Sequence, residues 1–256
     1  MSTVIREVVS DSPKTRADLL REQPFTLVLS AGFFGFFAHT GFLRTLEELE
    51  LEPERIVGAS AGALAGGLWA AGLSASELQD ELEQLKRDDF WDPGLPLGGL
   101  LKGRRFEAML ERMLKGQSVC HFEDCPRPFS AVVFDLISRQ TTSVNRGALV
   151  PAIRASCAVP FMFRPVRIGW RYYVDGGLLD RPALSATTSD EYVVHHELPT
   201  RSPWSTLGFR EVPQARPAHH LIIDSLPSLG PFRLAKGHEA IEQGRQAARD
   251  WLQELI

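Results

Sequence analysis

The sequence predicts an α/β protein built on a mainly parallel sheet, and three observations predict it. Apolar runs of strand length alternate with stretches of helical spacing: residues 25–30, then 36–50 with Leu43, Leu46 and Leu49 in helical register, then 55–58, then the Ala/Leu/Gly run of 60–72. Each strand passes to its helix through a glycine turn, Gly32–Gly35 in the first unit and Gly58–Gly62 in the second. Two such βα units in succession need crossover helices, which makes their strands parallel. In sheets of this kind function collects at the carboxyl ends of the strands, where both glycine turns lie.

The remaining elements follow in order. Residues 1–24 form a polar leader with one short helix at 15–21, and 25–256 are expected to form a single domain. Ser74 and Glu77 are spaced as a capping box, opening a helix to about Arg87. Residues 92–99 are a loop by composition; because it is also apolar, a lid or lipid-contact edge is the alternative to an ordinary packed loop. Residues 106–114 read as an amphipathic helix, 129–134 as a strand and 140–144 as its antiparallel partner. A short helix at 149–156 leads to a hairpin, 166–168 with 171–174, turning at Gly169-Trp170. After a polar connection at 180–190 come a strand at 191–196, a proline-rich surface loop at 197–220, a strand at 221–224 and a terminal helix at 234–256.

Composition narrows the function. The chain has 256 residues, 44% hydrophobic and 23% charged, in the range of a globular domain. A net charge of −4 argues against nucleic acid as a partner. No apolar run approaches the length of a membrane span, and the first 24 residues lack the apolar core of a signal peptide, so a cytoplasmic protein is expected. Three cysteines, Cys120, Cys125 and Cys157, suit a reducing compartment better than a disulfide framework. Cys120-His121 with Cys125 matches no common zinc spacing, and neither a metal nor an organic cofactor is implied.

The chemistry centres on Gly58-Ala59-Ser60-Ala61-Gly62. Strand, sharp turn and helix are the context in which G-x-S-x-G is a nucleophile elbow. Gly58 and Gly62 lack a Cβ, so strand and helix can pack closely around the serine. The plainer alternative is a helix N-cap serine. The second point is Asp175-Gly176-Gly177 at a strand end, either a plain Asp-Gly turn or a carboxylate held toward another strand end. A serine needs a base. His195, His196, His219 or His220 could complete a triad in the order Ser…Asp…His. Alternatively Asp175 is the base directly, although an ordinary aspartate with a pKa near 3.9 is weak in that role.

Four stretches together resemble the patatin-like phospholipases: Leu27-Val-Leu-Ser30 with its glycine turn, Gly58-Ala-Ser60-Ala-Gly62, Arg154-Ala-Ser-Cys-Ala-Val-Pro160 and Tyr173-Val-Asp175-Gly176-Gly177. The resemblance covers about residues 25–185. It implies a three-layer α/β/α sandwich and a serine hydrolase of fatty acyl esters, with Ser60 as nucleophile, Asp175 as base and no catalytic histidine. It also implies an oxyanion hole from the N–H groups of Gly32, Phe33, Phe34 and Gly35. The expected partner is a lipid or fatty acyl ester, with transient contact to a membrane surface and no cofactor. The first turn departs from the usual Gly-Gly-Gly-x-Arg/Lys-Gly: here it reads Ala31-Gly32-Phe33-Phe34-Gly35-Phe36, closer to the turn of the animal triacylglycerol-lipase branch. The lost basic residue tilts the expected substrate toward neutral or single-chain esters. A non-catalytic lipid-binding protein on the same fold is the remaining alternative.

Overall fold

Four consecutive residues, Thr26–Leu29 (β1), are buried at every position, the pattern of a parallel strand covered on both faces. The computed structural model describes residues 13–95, 98–198, 218–223, 226, 227 and 229–256. Its other strands are Arg55–Ala59 (β2), Gly99–Leu101 (β3), Phe129–Asp135 (β4), Gln140–Val144 (β5), Phe161–Phe163 (β6), Val166–Ile168 (β7), Arg171–Asp175 (β8), Val193–Glu197 (β9) and His219–Ile222 (β10). The helices are Arg16–Glu22 (α1), Phe36–Glu48 (α2), Ala61–Ala70 (α3), Ala75–Glu83 (α4), Arg104–Met113 (α5), Leu149–Ser156 (α6) and Gly237–Gln253 (α7).

The fold is mixed α/β with a mostly parallel central sheet flanked by helices. Among the described residues the main sheet has eight strands, linked in the order β10-β9-β1-β2-β4-β8-β7, with β5 also paired to β4. β10, β9, β1, β2 and β4 are mutually parallel, while β5 and β8 run antiparallel to β4. One face presents Leu27, Leu29, Ile56, Phe129 and Ala131 to the helices. The other presents Val28, Val57, Ala59, Val132 and Val193 to Ala183 and Leu184 of the segment that follows β8. All ten residues of α3 are buried, and their small side chains let the helix lie close on β1 and β2. Trp69 and Leu68 of α3 are fully buried, each contributing roughly 1.5–3 kcal/mol through apolar burial.

The register of β4 positions the site. β5 runs along one side of β4 over Ala131–Asp135. The other side is shared end to end: β2 pairs with residues 129–132, and β8 pairs with residues 133–135. β2 runs parallel to β4 and β8 antiparallel, so their carboxyl ends meet. Ala59 faces Val132 and Asp175 faces Val133, adjacent residues of one strand.

Several expectations shift in detail. Residues 13–24 do not stand apart as a leader: α1 carries the Thr15–Asp18 capping box, buries Ala17 and Leu20, and packs on α7 with Arg16 over Trp251 at 4.4 Å. The loop at 92–99 ends in β3, which pairs in parallel with β6; both are three-residue strands too short to show a period. Arg164 ties this loop down through a hydrogen bond to the Leu95 carbonyl, 2.6 Å. The last strand spans His219–Ile222 instead of 221–224, because His219 and His220 join the ladder on β9. Residues 199–217 of the proline-rich loop, and Asp224, lie outside the described residues. The terminal helix starts at Gly237, after a single 3-10 turn at Leu234–Lys236.

Candidate active site

Ser60 follows the last residue of β2 and precedes α3 with φ 51° and ψ −114°. A non-glycine residue at positive φ costs on the order of 1–3 kcal/mol, so the surroundings must impose it. Its N–H donates to Ser156 Oγ at 2.9 Å, and its carbonyl accepts from the Cys157 thiol at 3.1 Å and from the Leu64 N–H at 3.0 Å. A Cβ on Gly58 would lie 2.4 Å from the Gly62 carbonyl oxygen, and one on Gly62 would lie 2.1 Å from that of Leu29. Strand, turn and helix are therefore in backbone contact on both sides of the serine. The Ser60 side chain makes no capping hydrogen bond, which separates it from an ordinary N-cap serine.

Asp175 closes β8 and is 6% exposed. Its N–H donates to the Ala158 carbonyl at 3.0 Å, and its Oδ1 accepts from the Gly177 N–H at 2.8 Å. A Cβ on Gly176 would lie 2.3 Å from the Val132 carbonyl oxygen, and one on Gly177 would lie 2.5 Å from Ala31 Cβ. The turn that aims Asp175 thus has room for neither side chain. Burial pushes the carboxyl up to about 7, while hydrogen bonding by the Ser60 hydroxyl and the Gly177 N–H pulls the other way. A carboxylate poised there is a far better base than the ordinary aspartate considered from sequence.

The first glycine turn leaves β1 beside this junction, since Leu29 is in register with Gly58. The Gly35 N–H is engaged inside the turn, donating to the Gly32 carbonyl at 2.9 Å. The N–H groups of Gly32, Phe33 and Phe34 have no hydrogen-bond partner among the described residues. Phe34 holds a positive φ of 56°. Its ring contacts Phe33, Phe36 and Phe90 at centroid separations of 4.9, 5.5 and 5.7 Å. An apolar cavity opens at Ser60, walled by Phe34, Leu64, Phe90, Phe106, Met109 and Phe163. Its apolar lining suits a hydrocarbon chain. Cys157 also borders it, and burial pushes that thiol well above its ordinary value, so it is not a competing nucleophile.

Several of the histidines have partners of their own away from Ser60. His39 Nε2 meets the Ser30 carbonyl at 2.9 Å and must carry the proton, so His39 Nδ1 is an acceptor. His196 Nδ1, 2.9 Å away, therefore donates to it. Burial lowers His39 to about 4 and holds His196 well below its ordinary value, so the pair is neutral. His219 hydrogen-bonds to the Tyr192 hydroxyl at 2.5 Å, and His220 Nε2 lies 2.8 Å from Glu197. No histidine hydrogen-bonds to Ser60 among the described residues, so the geometry does not favour the triad alternative.

Ser156 carries a positioning role that spacing did not reveal. It is fully buried and donates to the Val132 carbonyl at 2.6 Å, at the gap between the ends of β2 and β8, while accepting from Ser60. Only its place in the run Arg154–Pro160 hinted at it. Ser156→Ala leaves a buried N–H and a buried carbonyl unpaired, with an expected loss of about 1–3 kcal/mol in stability. The strained turn should loosen, lowering kcat roughly tenfold or more with little change in KM. Urea unfolding and steady-state kinetics check this; unchanged kcat would remove Ser156 from the account.

Comparison with known proteins agrees with the geometry. A family model described as patatin-like phospholipase matches residues 27–187. A Mycobacterium tuberculosis (strain ATCC 25618 / H37Rv) protein described as an uncharacterized NTE family protein is 33% identical over 156 residues, covering 60% of this chain and 42% of the relative. A second NTE family protein of that strain is 28% identical over 166 residues, 64% of this chain and 28% of the relative. The chain thus spans less than half the length of these relatives. The crystal structure of VipD from Legionella pneumophila is similar with a TM-score of 0.64 at 14% identity, over 90% of this chain and 66% of that one, a likeness of fold.

Proposed function

The chain belongs to the patatin-like phospholipase family, and we propose that it hydrolyses fatty acyl esters through a Ser60–Asp175 dyad. The observation that carries this reading is the end-to-end meeting of β2 and β8 on β4, which puts a strained serine and a buried, high-pKa aspartate at one point. Asp175 takes the hydroxyl proton as Ser60 Oγ attacks the ester carbonyl. The carbonyl oxygen becomes an oxyanion, and the unpartnered N–H groups of Gly32, Phe33 and Phe34 are the donors for it. Asp175 then gives the proton to the departing alcohol, leaving Ser60 acylated. Water attacks the acyl-enzyme while Asp175 accepts its proton, and the fatty acid leaves with Ser60 restored.

The acyl chain occupies the cavity walled by Phe34, Leu64, Phe106 and Phe163. The lining holds no charged side chain among the described residues, and the turn carries Phe33 and Phe34 where a basic residue is usual. Neutral or single-chain esters are therefore the proposed substrate class. Phe33, 53% exposed at the cavity mouth, suits transient contact with a lipid surface. No helix among the described residues is long and apolar enough to cross a membrane.

Two measurements test this on purified protein. Turnover of a monoacyl ester should exceed that of a diacyl phospholipid; clear preference for the diacyl phospholipid refutes the substrate class. On a neutral ester, kcat/KM should rise with pH through a midpoint near 7, because only ionised Asp175 accepts the serine proton. A profile flat between pH 5 and 8 would contradict Asp175 as base.

A further inference from the structure

β9 and the edge strand β10 bring together three ligating side chains that the hydrolytic scheme does not use. His195 and Glu197 are two residues apart on β9 and project from the face opposite His196. His220 is the register partner of His195 on β10, and the two rings stack at 4.8 Å with planes 15° apart. One ligand atom from each of His195, Glu197 and His220 lies within 4.8 Å of the others. His220 Nε2 already approaches Glu197 Oε2 to 2.8 Å.

His195 is the anomaly. It is 1% exposed, and neither ring nitrogen has a hydrogen-bond partner of good geometry among the described residues. The Pro182 carbonyl is its polar neighbour and has only a minor influence. A buried imidazole left unsatisfied is costly, and native structures seldom leave one without a partner such as water or an ion.

We propose that His195, Glu197 and His220 bind a divalent transition-metal ion of the zinc type, which ties the edge strand β10 to β9. Two imidazoles and one carboxylate are ligands of that class, whereas calcium and magnesium favour all-oxygen sites. Three protein ligands leave a fourth position for water. Bonds of about 2.0–2.2 Å at tetrahedral angles set donors roughly 3.3–3.6 Å apart, so a pair separated by as much as 4.8 Å must close by about 1–1.5 Å. His220 and Glu197, with side chains 34% and 25% exposed, can rotate to do so, while His195 is fixed by burial. The Pro182 carbonyl beside His195 suits a metal-bound histidine, whose other nitrogen usually faces a carbonyl or carboxylate. Arg181 opposes the cation, with Nη2 3.9 Å from Glu197 Oε1. It engages the oxygen turned away from His220, however, and leaves Oε2 on the ligand side.

The test uses the full chain, stripped with EDTA and dialysed. Titration with Co²⁺ followed by visible d–d absorption, and with Zn²⁺ by calorimetry, should each give one saturable site. Glu197→Gln and His220→Ala should each weaken binding at least roughly tenfold. His121→Ala, beside Cys120 and Cys125, should leave it unchanged. Zn²⁺ at a hundredfold excess over Kd should raise Tm by roughly 5 °C in the parent protein and not in His220→Ala. Absence of saturable binding, or equal affinity in the parent, Glu197→Gln and His220→Ala, overturns the site. Because Glu197→Gln removes no packing volume, it decides the matter even if a histidine variant folds poorly.

Discussion

Ser60→Ala is expected to lower kcat/KM on a neutral ester by roughly 10⁴-fold or more, and Asp175→Asn by a similar factor, without loss of the fold. The alcohol and the carboxylate act as one unit, so combining the two substitutions should cost little more than either alone. Stability separates them. Ser60→Ala removes the hydroxyl's hydrogen bond to the buried Asp175 carboxyl, an expected loss of about 1 kcal/mol. Asp175→Asn should raise stability at alkaline pH. The sign follows from linkage: the folded pKa of Asp175, about 7, lies above the ordinary unfolded value of 3.8. The folded state therefore binds the proton more tightly. Its stabilising contribution is present below the unfolded value and is lost as pH rises toward 7, to a ceiling of about 4 kcal/mol. Asparagine cannot ionise, so the variant escapes that loss. The Tm difference between Asp175→Asn and the parent should be larger at pH 8 than at pH 4.5. A pH-independent difference would mean that Asp175 is not a buried, reluctantly charged carboxylate.

Gly62→Ala is expected to destabilise the protein by roughly 3 kcal/mol or more and to abolish esterase activity with it. The new Cβ would lie 2.1 Å from the Leu29 carbonyl oxygen and 2.6 Å from its carbon. Both contacts are to the backbone of β1, buried and paired on both edges, which has nowhere to move. Gly66, one turn further along α3, supplies the contrast. The nearest atoms to a Cβ there are all side-chain atoms, Ile56 Cγ2 and Leu29 Cδ1 at 3.0 Å and Phe129 Cε2 at 3.8 Å. Alanine is also the better helix former by about 1 kcal/mol, so Gly66→Ala should stay within about 1 kcal/mol of the parent. Urea unfolding of the two variants checks this; equal stabilities would show that α3 is not pressed against β1 at the elbow.

The elements with strong local signals were legible in the sequence. β1 lies in an apolar run of strand length and β2 carries the β-branched pair Ile56-Val57, each before a glycine turn, and α4 carries a capping box that forms as its spacing predicts. What stayed hidden depends on contacts between distant segments. Nothing local says that β2 and β8 stop on the same side of β4, and that register is what brings position 60 to position 175. The raised pKa of Asp175 comes from burial by surrounding segments, so the isolated Asp-Gly-Gly run left a plain turn and a carboxylate aimed at another strand end both open. Ser156 looks like an ordinary helix residue until its hydroxyl is seen between Ser60 and Val132. His195 and Glu197 show a two-residue spacing with no known metal signature, and His220 becomes their neighbour only through parallel pairing across the proline-rich loop. β3 and β6, three residues each, carry too few positions for alternation to register.

Whether Ser60 is an alcohol activated by Asp175 is tested most directly by treating the protein with a fluorophosphonate and locating the adduct by peptide mass spectrometry. A single adduct on Ser60 is expected, formed at least roughly a hundredfold more slowly in Asp175→Asn and at the parental rate when His195, His196, His219 or His220 is alanine. An adduct on another residue, or continued ester turnover with Ser60 unlabelled, would contradict the dyad. Absence of both labelling and turnover would favour a lipid-binding protein that has kept the fold without the reaction.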